Sequence, residues 1–106
     1  MVTQEQIQNL VNEIAESYQP EKIYLFGSYA NGVPNDDSDI DLFIVKDTDK
    51  NRTDRTVQLL SQIKNYPTVG CDFIIYTPME FEQSSQSFLN IGNEAVKTGK
   101  LLYERL

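Results

Sequence analysis

Between residues 25 and 45, a Gly-Ser pair follows one apolar run and an Asp-x-Asp pair opens the next, which constrains the fold more than any other stretch. Side chains alternate faces along a strand, so Asp39 and Asp41 are predicted to project to one side. Their charges repel at neutral pH, and a hard divalent cation such as Mg²⁺, which prefers oxygen ligands, would relieve the repulsion. The alternative is that residues 36–39 form a solvated loop and Asp41 points to water. The Asp-x-Asp pattern by itself leaves both interpretations open.

The Gly-Ser pair ends a predicted strand over residues 23–26. Glycine at position 27 permits a sharp turn and the close approach of another group to the backbone. Ser28 is a candidate N-cap for a short helical turn over residues 29–31, which Gly32 would close. Free backbone N–H groups at such a helix start attract phosphate. For an isolated Gly-Ser pair, a plain strand-to-helix connection would be the better interpretation, so the pair gains meaning from the aspartates that follow.

Two better-known motifs do not fit these residues. Gly27 and Gly32 have the glycine spacing of a phosphate-binding P-loop, but Val33 and Pro34 stand where that motif needs Lys and Ser or Thr. The aspartates imitate the opening of an EF-hand calcium loop, but Leu42 replaces its obligatory glycine. The chain therefore has neither motif here.

The combination of Gly27-Ser28, ten intervening residues and Asp39-Ile40-Asp41 resembles the signature of the polymerase beta-like nucleotidyltransferase superfamily. Within it, the chain is similar to the minimal nucleotidyltransferases of prokaryotes, which its residues 99–104 resemble as well. The resemblance implies that Gly27 and Ser28 bind the β- and γ-phosphates of a nucleoside triphosphate, with ATP as the expected substrate. One departure is Tyr29, where many relatives carry Arg. A positive group that could meet the triphosphate is therefore missing.

Asp72 is a carboxylate early in an otherwise apolar run, residues 71–76. An unpaired buried charge would be costly there, so Asp72 either remains in water at the strand end or has a partner. The resemblance implies the latter, because this superfamily takes a third metal-binding carboxylate from the next core strand. Asp39, Asp41 and Asp72 are therefore the predicted catalytic and metal-binding residues, holding two Mg²⁺ ions. Asp72 would also take the proton of the acceptor hydroxyl.

Helices and strands alternate along the sequence. A capping box at Thr3 and Gln6 followed by apolar residues at helical spacing predicts a first helix over residues 4–18. Further helices are predicted over residues 54–64, with Val57, Leu60 and Ile63 inward, over residues 78–83, where Pro78 and Glu80 mark the start, and over residues 88–97, with Gly99 as C-cap.

Strands are predicted near residues 22–26, 41–45 and 71–76. The order α-β-α-β-α-β-α predicts an α/β (α+β) fold, and the resemblance implies the nucleotidyltransferase fold, with a small mixed sheet of three strands. Residues 101–103 could add a fourth strand at a sheet edge. The 106 residues predict a single domain, residues 1–106, with one modest core.

Charge and composition exclude several function classes. The formal charge of −7 opposes binding to a DNA or RNA backbone, so a nucleic-acid template is not expected. The chain has no histidine, which leaves proton transfer to carboxylates. Cys71 is the only cysteine, so no disulfide can form within the chain and a buried strand position is expected. Arg52 and Arg55 could reach phosphate or a partner, but a solvated face is the preferred interpretation.

The sequence also bears on location and partners. No run reaches the roughly 18 apolar residues of a membrane span, and residues 1–5 lack the pattern of a signal peptide, so a cytoplasmic location is expected. The resemblance implies a separate acceptor protein, most often a small helical HEPN-type ribonuclease toxin, which this chain would silence as an antitoxin by adding AMP to a hydroxyl. Two alternatives stay open: an idle antitoxin that acts by complex formation, and an enzyme that modifies a small molecule such as an aminoglycoside after dimerising. A homo-oligomer is compatible with the sequence.

Overall fold

The computed structural model describes residues 2–32, 34–35, 37–65, 70–85 and 99–105. In chain order, the elements are α1 (Gln4–Tyr18), β1 (Lys22–Phe26), α2 (Ser28–Asn31), β2 (Ile40–Val45), α3 (Arg52–Gln62), β3 (Cys71–Tyr76), α4 (Pro78–Ser85) and β4 (Lys100–Glu104). The predicted mixed α/β class is confirmed. The helix predicted over residues 88–97 lies outside the described residues, as does most of the loop before β3.

The four strands form one mixed sheet in the order β3-β2-β1-β4. β1 pairs antiparallel with both β2 and β4, while β2 pairs parallel with β3. The predicted fourth strand is therefore present, and it lies beside β1 at the edge of the described sheet. This topology brings the start of β2 and the start of β3 next to the end of β1. The Asp-x-Asp pair, Asp72 and the Gly-Ser pair consequently share one end of the sheet, which we call the aspartate end.

α1 has the predicted bounds because its sequence fixes both its start and its buried face. The Thr3 hydroxyl accepts a hydrogen bond from the backbone N–H of Gln6 (3.1 Å), and the Gln6 side chain accepts one from the N–H of Thr3 (2.8 Å). This capping box satisfies two N–H groups that a helix start leaves unpaired. All five apolar residues predicted to face the core are buried: Ile7, Leu10, Val11, Ile14 and Tyr18.

Alternation along β2 divides the core between the two faces of the sheet. Ile40, Leu42 and Ile44 belong to the larger cluster, which α1 and α2 cover. Phe43 and Val45 project to the other face, where α4 packs through Phe81. Asp41 lies on the second face by the same alternation, so burial of its apolar neighbours determines the direction of its side chain.

The predicted inward face of α3 is wrong. Val57 is 61 % exposed and Leu60 is 39 % exposed, whereas Leu59 and Arg55 are buried. Ile63 is buried as predicted, but it follows the last helical residue. The face of α3 that packs against the core therefore contains an arginine. The spacing of apolar residues alone does not predict that face.

Arg55 is buried, which corrects the prediction of a solvated face. The residue is only 6 % exposed; its guanidinium donates to the carbonyl of Ile75 (3.2 Å) and forms an ion pair with Glu80 (2.8 Å). A buried guanidinium needs such partners, because an unpaired charge would be costly in the core. Arg52 remains exposed as predicted, with its guanidinium 4.5 Å from the ring centroid of Tyr76.

α4 begins at the predicted residue. The N–H of Thr77 donates to Glu80 Oε1 (2.9 Å), and the N–H of Glu80 donates to the Thr77 hydroxyl (3.2 Å), so the predicted capping box is formed around Pro78. The Glu80 carboxylate thus both accepts the capping hydrogen bond at the start of α4 and forms the ion pair with Arg55. Among the helices that the structure describes, none combines the length and apolar character that crossing a bilayer would require.

Candidate active site

Asp41 and Asp72 occupy directly paired positions on neighbouring parallel strands. Their carboxyl groups lie close enough for a protonated Asp41 to donate a hydrogen bond to Asp72. The pairing extends beyond the strands, because the N–H of Ile40 donates to the carbonyl of Gly70 (2.9 Å). Asp72 is exposed and Asp41 is half-buried. The third predicted aspartate, Asp39, lies exposed just before β2.

The environment of Asp41 favours its neutral form. Burial raises the pKa of Asp41, and a hydrogen bond that its protonated form donates to Asp72 and the negative charges of Asp72 and Asp39 act in the same direction, which together bring the pKa to about 6. Neighbouring carboxylates of like charge behave in this way because ionising the second one costs extra free energy. A cation placed among them would reverse the effect, since it favours the ionised forms.

The negative charges of the aspartates also act on the neighbouring Cys71 thiol. Burial raises the pKa of its thiol to about 11, and the charges of Asp39, Asp72 and Asp41 act in the same direction. The thiol is therefore neutral at physiological pH, which disfavours reactivity as a nucleophile. The side chain is half-buried and packs against the larger core cluster, close to the predicted buried strand position.

The Gly27-Ser28 turn lies against Asp41. Gly27 has φ 76° and ψ −155°, a conformation that is essentially restricted to glycine, and a Cβ added there would overlap Asp41 Oδ2. Gly27, not Ser28, is the N-cap of α2, so the predicted N-cap is wrong by one residue. Ser28 is the first helical residue, and no side chain caps the start of α2. Because only glycine fits beside the Asp41 carboxylate, the helix cap lies at Gly27.

Gly70 is a site residue that the sequence prediction missed. A Cβ added to it would lie 2.7 Å from Asp39 Oδ1, closer than real Cβ contacts allow, and 3.2 Å from Asp39 Cγ, which is a tight contact. Gly70 therefore leaves room for the Asp39 carboxylate, as Gly27 does for Asp41. The signal available in the sequence was a glycine immediately before the strand that carries Asp72.

The carboxylate oxygens of the aspartates are suitable ligands for magnesium, but their side chains are not arranged around a common metal position. Within the described ranges, no group of three His, Cys, Asp or Glu side chains is already arranged to enclose a metal ion. Asp41 and Asp72 are instead in contact with each other, and Asp39 lies near enough to act through its charge. Hard oxygen donors of this kind suit Mg²⁺, which takes one or two carboxylates and completes its shell with water and phosphate oxygens.

Tyr29, the departure from the family pattern, does not reach this site. It is 3 % exposed, and its hydroxyl accepts a hydrogen bond from the backbone N–H of Val2 (3.2 Å). Its ring packs in the larger core cluster. The side chain at this position therefore serves the packing of α2 against the start of α1.

Residues 8–106 match the family described as "Polymerase beta, Nucleotidyltransferase". The chain belongs to this nucleotidyltransferase family. No curated protein matches the sequence significantly.

Two solved structures are similar to the chain. A candidate nucleotidyltransferase from Sulfolobus solfataricus is 27 % identical, with a TM-score of 0.65, and the match covers 95 % of this chain and 79 % of that one. A toxin-antitoxin structure with AMP-PNP is 26 % identical, with a TM-score of 0.60, and the match covers 92 % of this chain and 73 % of that one. Both likenesses extend over most of the fold and agree with the family assignment.

Proposed function

We propose that this chain is a minimal, single-domain nucleotidyltransferase that transfers AMP from ATP to a hydroxyl of a partner protein. The partner would be a HEPN-type ribonuclease toxin, and the chain its antitoxin. The observation that carries the proposal is the pairing of Asp41 with Asp72 directly beside the Gly27-Ser28 turn. The likeness to a toxin-antitoxin structure containing AMP-PNP supports both the nucleotide and the kind of partner.

Gly27 and Ser28 would bind the β- and γ-phosphates through backbone N–H groups and the Ser28 hydroxyl. The turn is suited to this because Gly27 adopts its special conformation without a side chain that would block the approach of a ligand. The turn also adjoins the Asp41 carboxylate, so phosphates held there would lie next to the aspartates.

Asp39, Asp41 and Asp72 would hold two Mg²⁺ ions. Magnesium at this place would offset the negative charge of the triphosphate and of the departing pyrophosphate. The fit rests on the closeness of these carboxyl groups, since Asp41 is paired with Asp72 and lies within reach of the charge of Asp39, and carboxylates that repel one another favour a cation among them.

Asp72 is the proposed proton acceptor. It is the exposed member of the pair, so an acceptor hydroxyl can approach it. The hydroxyl oxygen forms a bond to the α-phosphorus of ATP, the bond from that phosphorus to the bridging oxygen breaks, and pyrophosphate leaves. The hydroxyl proton passes to the Asp72 carboxylate, directly or through one water molecule. The products are the adenylylated hydroxyl and pyrophosphate.

The proposal is tested with α-labelled ATP, Mg²⁺ and the helical protein encoded beside this chain, if that protein carries an Arg-x4-His motif. Label should appear on the partner. Asp39→Ala combined with Asp41→Ala should abolish labelling and neutralisation, whereas Asp37→Ala, an exposed residue in the preceding turn, should retain both.

The rival functions predict different outcomes. An antitoxin that acts only by complex formation would still neutralise the partner after loss of both aspartates. An enzyme acting on small molecules would label an aminoglycoside without any partner. Absence of transfer from all four triphosphates to the partner would refute the proposal.

A further inference from the structure

The hydroxyl of Tyr29 ties the phosphate-binding turn to the start of α1. It accepts a hydrogen bond from the backbone N–H of Val2 (3.2 Å), and both residues are buried, at 3 % and 8 % exposed. Val2 immediately precedes Thr3, whose capping box with Gln6 fixes the first turn of α1. The donor of this hydrogen bond therefore has a well-defined position set by a fifteen-residue helix.

α2 depends on this hydrogen bond because it is too short to be stable as an isolated helix. It contains four residues and has no side-chain capping bond. Helices of this length are not stable alone, so contacts outside the helix must set its position. Within α2, Tyr29 and Ala30 are the residues that enter the core cluster. Tyr29 directly follows Ser28, so the position of its ring and hydroxyl determines where Ser28 lies.

Small displacements of this turn would matter. Gly27 already lies so close to Asp41 that a Cβ would overlap the carboxylate, so the turn has no room to shift toward the aspartates. A shift away from them would separate the phosphate-binding groups from the carboxylates. Errors of about 1 Å in such positioning can cost about a hundredfold in rate.

We propose that Tyr29 is a positioning residue for the triphosphate, acting through Ser28, with the Val2 N–H as its fixed point. This inference rests on the proposed function, in which Gly27 and Ser28 bind the β- and γ-phosphates. Tyr29 thus contributes to nucleotide binding through geometry, at the position where many relatives place a charged group.

The test compares two buried tyrosines that differ in the state of their hydroxyl. Tyr29→Phe removes the hydroxyl that accepts from Val2. Tyr18→Phe is the matched control, because Tyr18 is 2 % exposed and its hydroxyl has no hydrogen-bond partner among the described residues. Dissociation constants are measured by calorimetry on the full chain with Mg²⁺ and AMP-PNP, and separately with AMP, well below the unfolding temperature of each variant.

Tyr29→Phe should raise the dissociation constant for AMP-PNP about fivefold, the equivalent of one neutral hydrogen bond, and leave that for AMP unchanged. Tyr18→Phe should change neither. Thr3→Ala, which removes the α1 cap without touching α2, should weaken AMP-PNP binding in the same direction and by less. It also provides the test if Tyr29→Phe does not fold.

Three outcomes separate the possibilities. Unchanged AMP-PNP affinity in a Tyr29→Phe protein of lower thermal stability would reduce Tyr29 to a packing residue and overturn the inference. Equal weakening for AMP-PNP and AMP would also overturn it, because the phosphate turn would not be the affected element. Failure of the unmodified chain to bind AMP-PNP would instead refute the proposed function itself.

Discussion

The two ends of β3 differ in how the charged side chains around them are paired. At its start, Asp72 lies opposite Asp41, so two acidic side chains adjoin each other. At its other end, the carbonyl of Ile75 and the carboxylate of Glu80 surround the Arg55 guanidinium. At the second end a guanidinium is paired with a carboxylate within the chain, whereas at the first end carboxyl groups adjoin one another. The pairing of charge on the same strand therefore distinguishes the candidate site from the structural end.

The glycines that flank α2 give the sharpest test of strain at the aspartate end. Gly27 and Gly32 both have positive φ, 76° and 81°, but a Cβ at Gly27 would overlap Asp41, while one at Gly32 would meet no atom within 4 Å. Gly27→Ala should therefore reduce the transfer rate by about a hundredfold through displacement of the turn. Gly32→Ala should cost about 1 kcal/mol of unfolding free energy and leave the rate nearly unchanged. Single-turnover kinetics and urea unfolding measure both; equal rates in the two variants would contradict the prediction.

Substitution of the two α3 arginines tests the structural end. Arg55→Met should lower the free energy of unfolding by about 2–4 kcal/mol, because it removes a buried ion pair and hydrogen bonds to the backbone. Arg52→Met should lower it by about 0.5–1 kcal/mol, because that guanidinium is exposed, lies over the ring of Tyr76 and acts on Glu80 through its charge. Urea unfolding measures the difference. Nucleotide affinity of the folded Arg55→Met protein should be unchanged, and a loss of affinity would show that the two ends are coupled.

The pH dependence of stability is the smallest effect expected. The pKa of Asp41 is about 6 in the folded chain, above its ordinary value of 3.8. Between these values the folded state binds more protons than the unfolded state, so this group makes the free energy of unfolding fall as pH rises from about 4 to 6. Because Asp41 is only half-buried, solvent screening should limit the fall to about 1 kcal/mol. Asp41→Asn should remove it, and Asp37→Asn should not.

Magnesium should act against this trend. Protons and Mg²⁺ compete for the same carboxyl oxygens, so the increase in melting temperature on adding Mg²⁺ should be larger near pH 7.5 than near pH 5. The same increase at both values would mean that the ion binds elsewhere.

Local signals in the sequence predicted much of the fold. The capping boxes at Thr3 and Thr77 lie within a few residues of the groups that they bond, so the starts of α1 and α4 follow from the sequence alone. Strand positions followed from apolar runs bounded by turn residues. The inward face of α3 did not, because the choice between Val57 and Arg55 depends on Glu80, which lies 25 residues further along the chain.

The candidate site was predictable in its members and less so in its details. Asp39, Asp41 and Asp72 were singled out by residue type and by family resemblance, but the register that sets Asp41 opposite Asp72 depends on the pairing of strands about thirty residues apart. Gly70 was missed because its role appears only when the Asp39 carboxylate folds against it. Their roles in catalysis remain a prediction.

Asp72 lies on β3, one of the two edge strands of the described sheet, and the residue is exposed. If it accepts the proton, the second reactant arrives from the flank of the molecule and not through the nucleotide turn. The choice of what becomes modified would then depend on which surface can dock along that flank, while the proposed nucleotide-binding turn stays the same. With this arrangement, substitutions on the surface along the edge strand alone would change the target of a small nucleotidyltransferase domain.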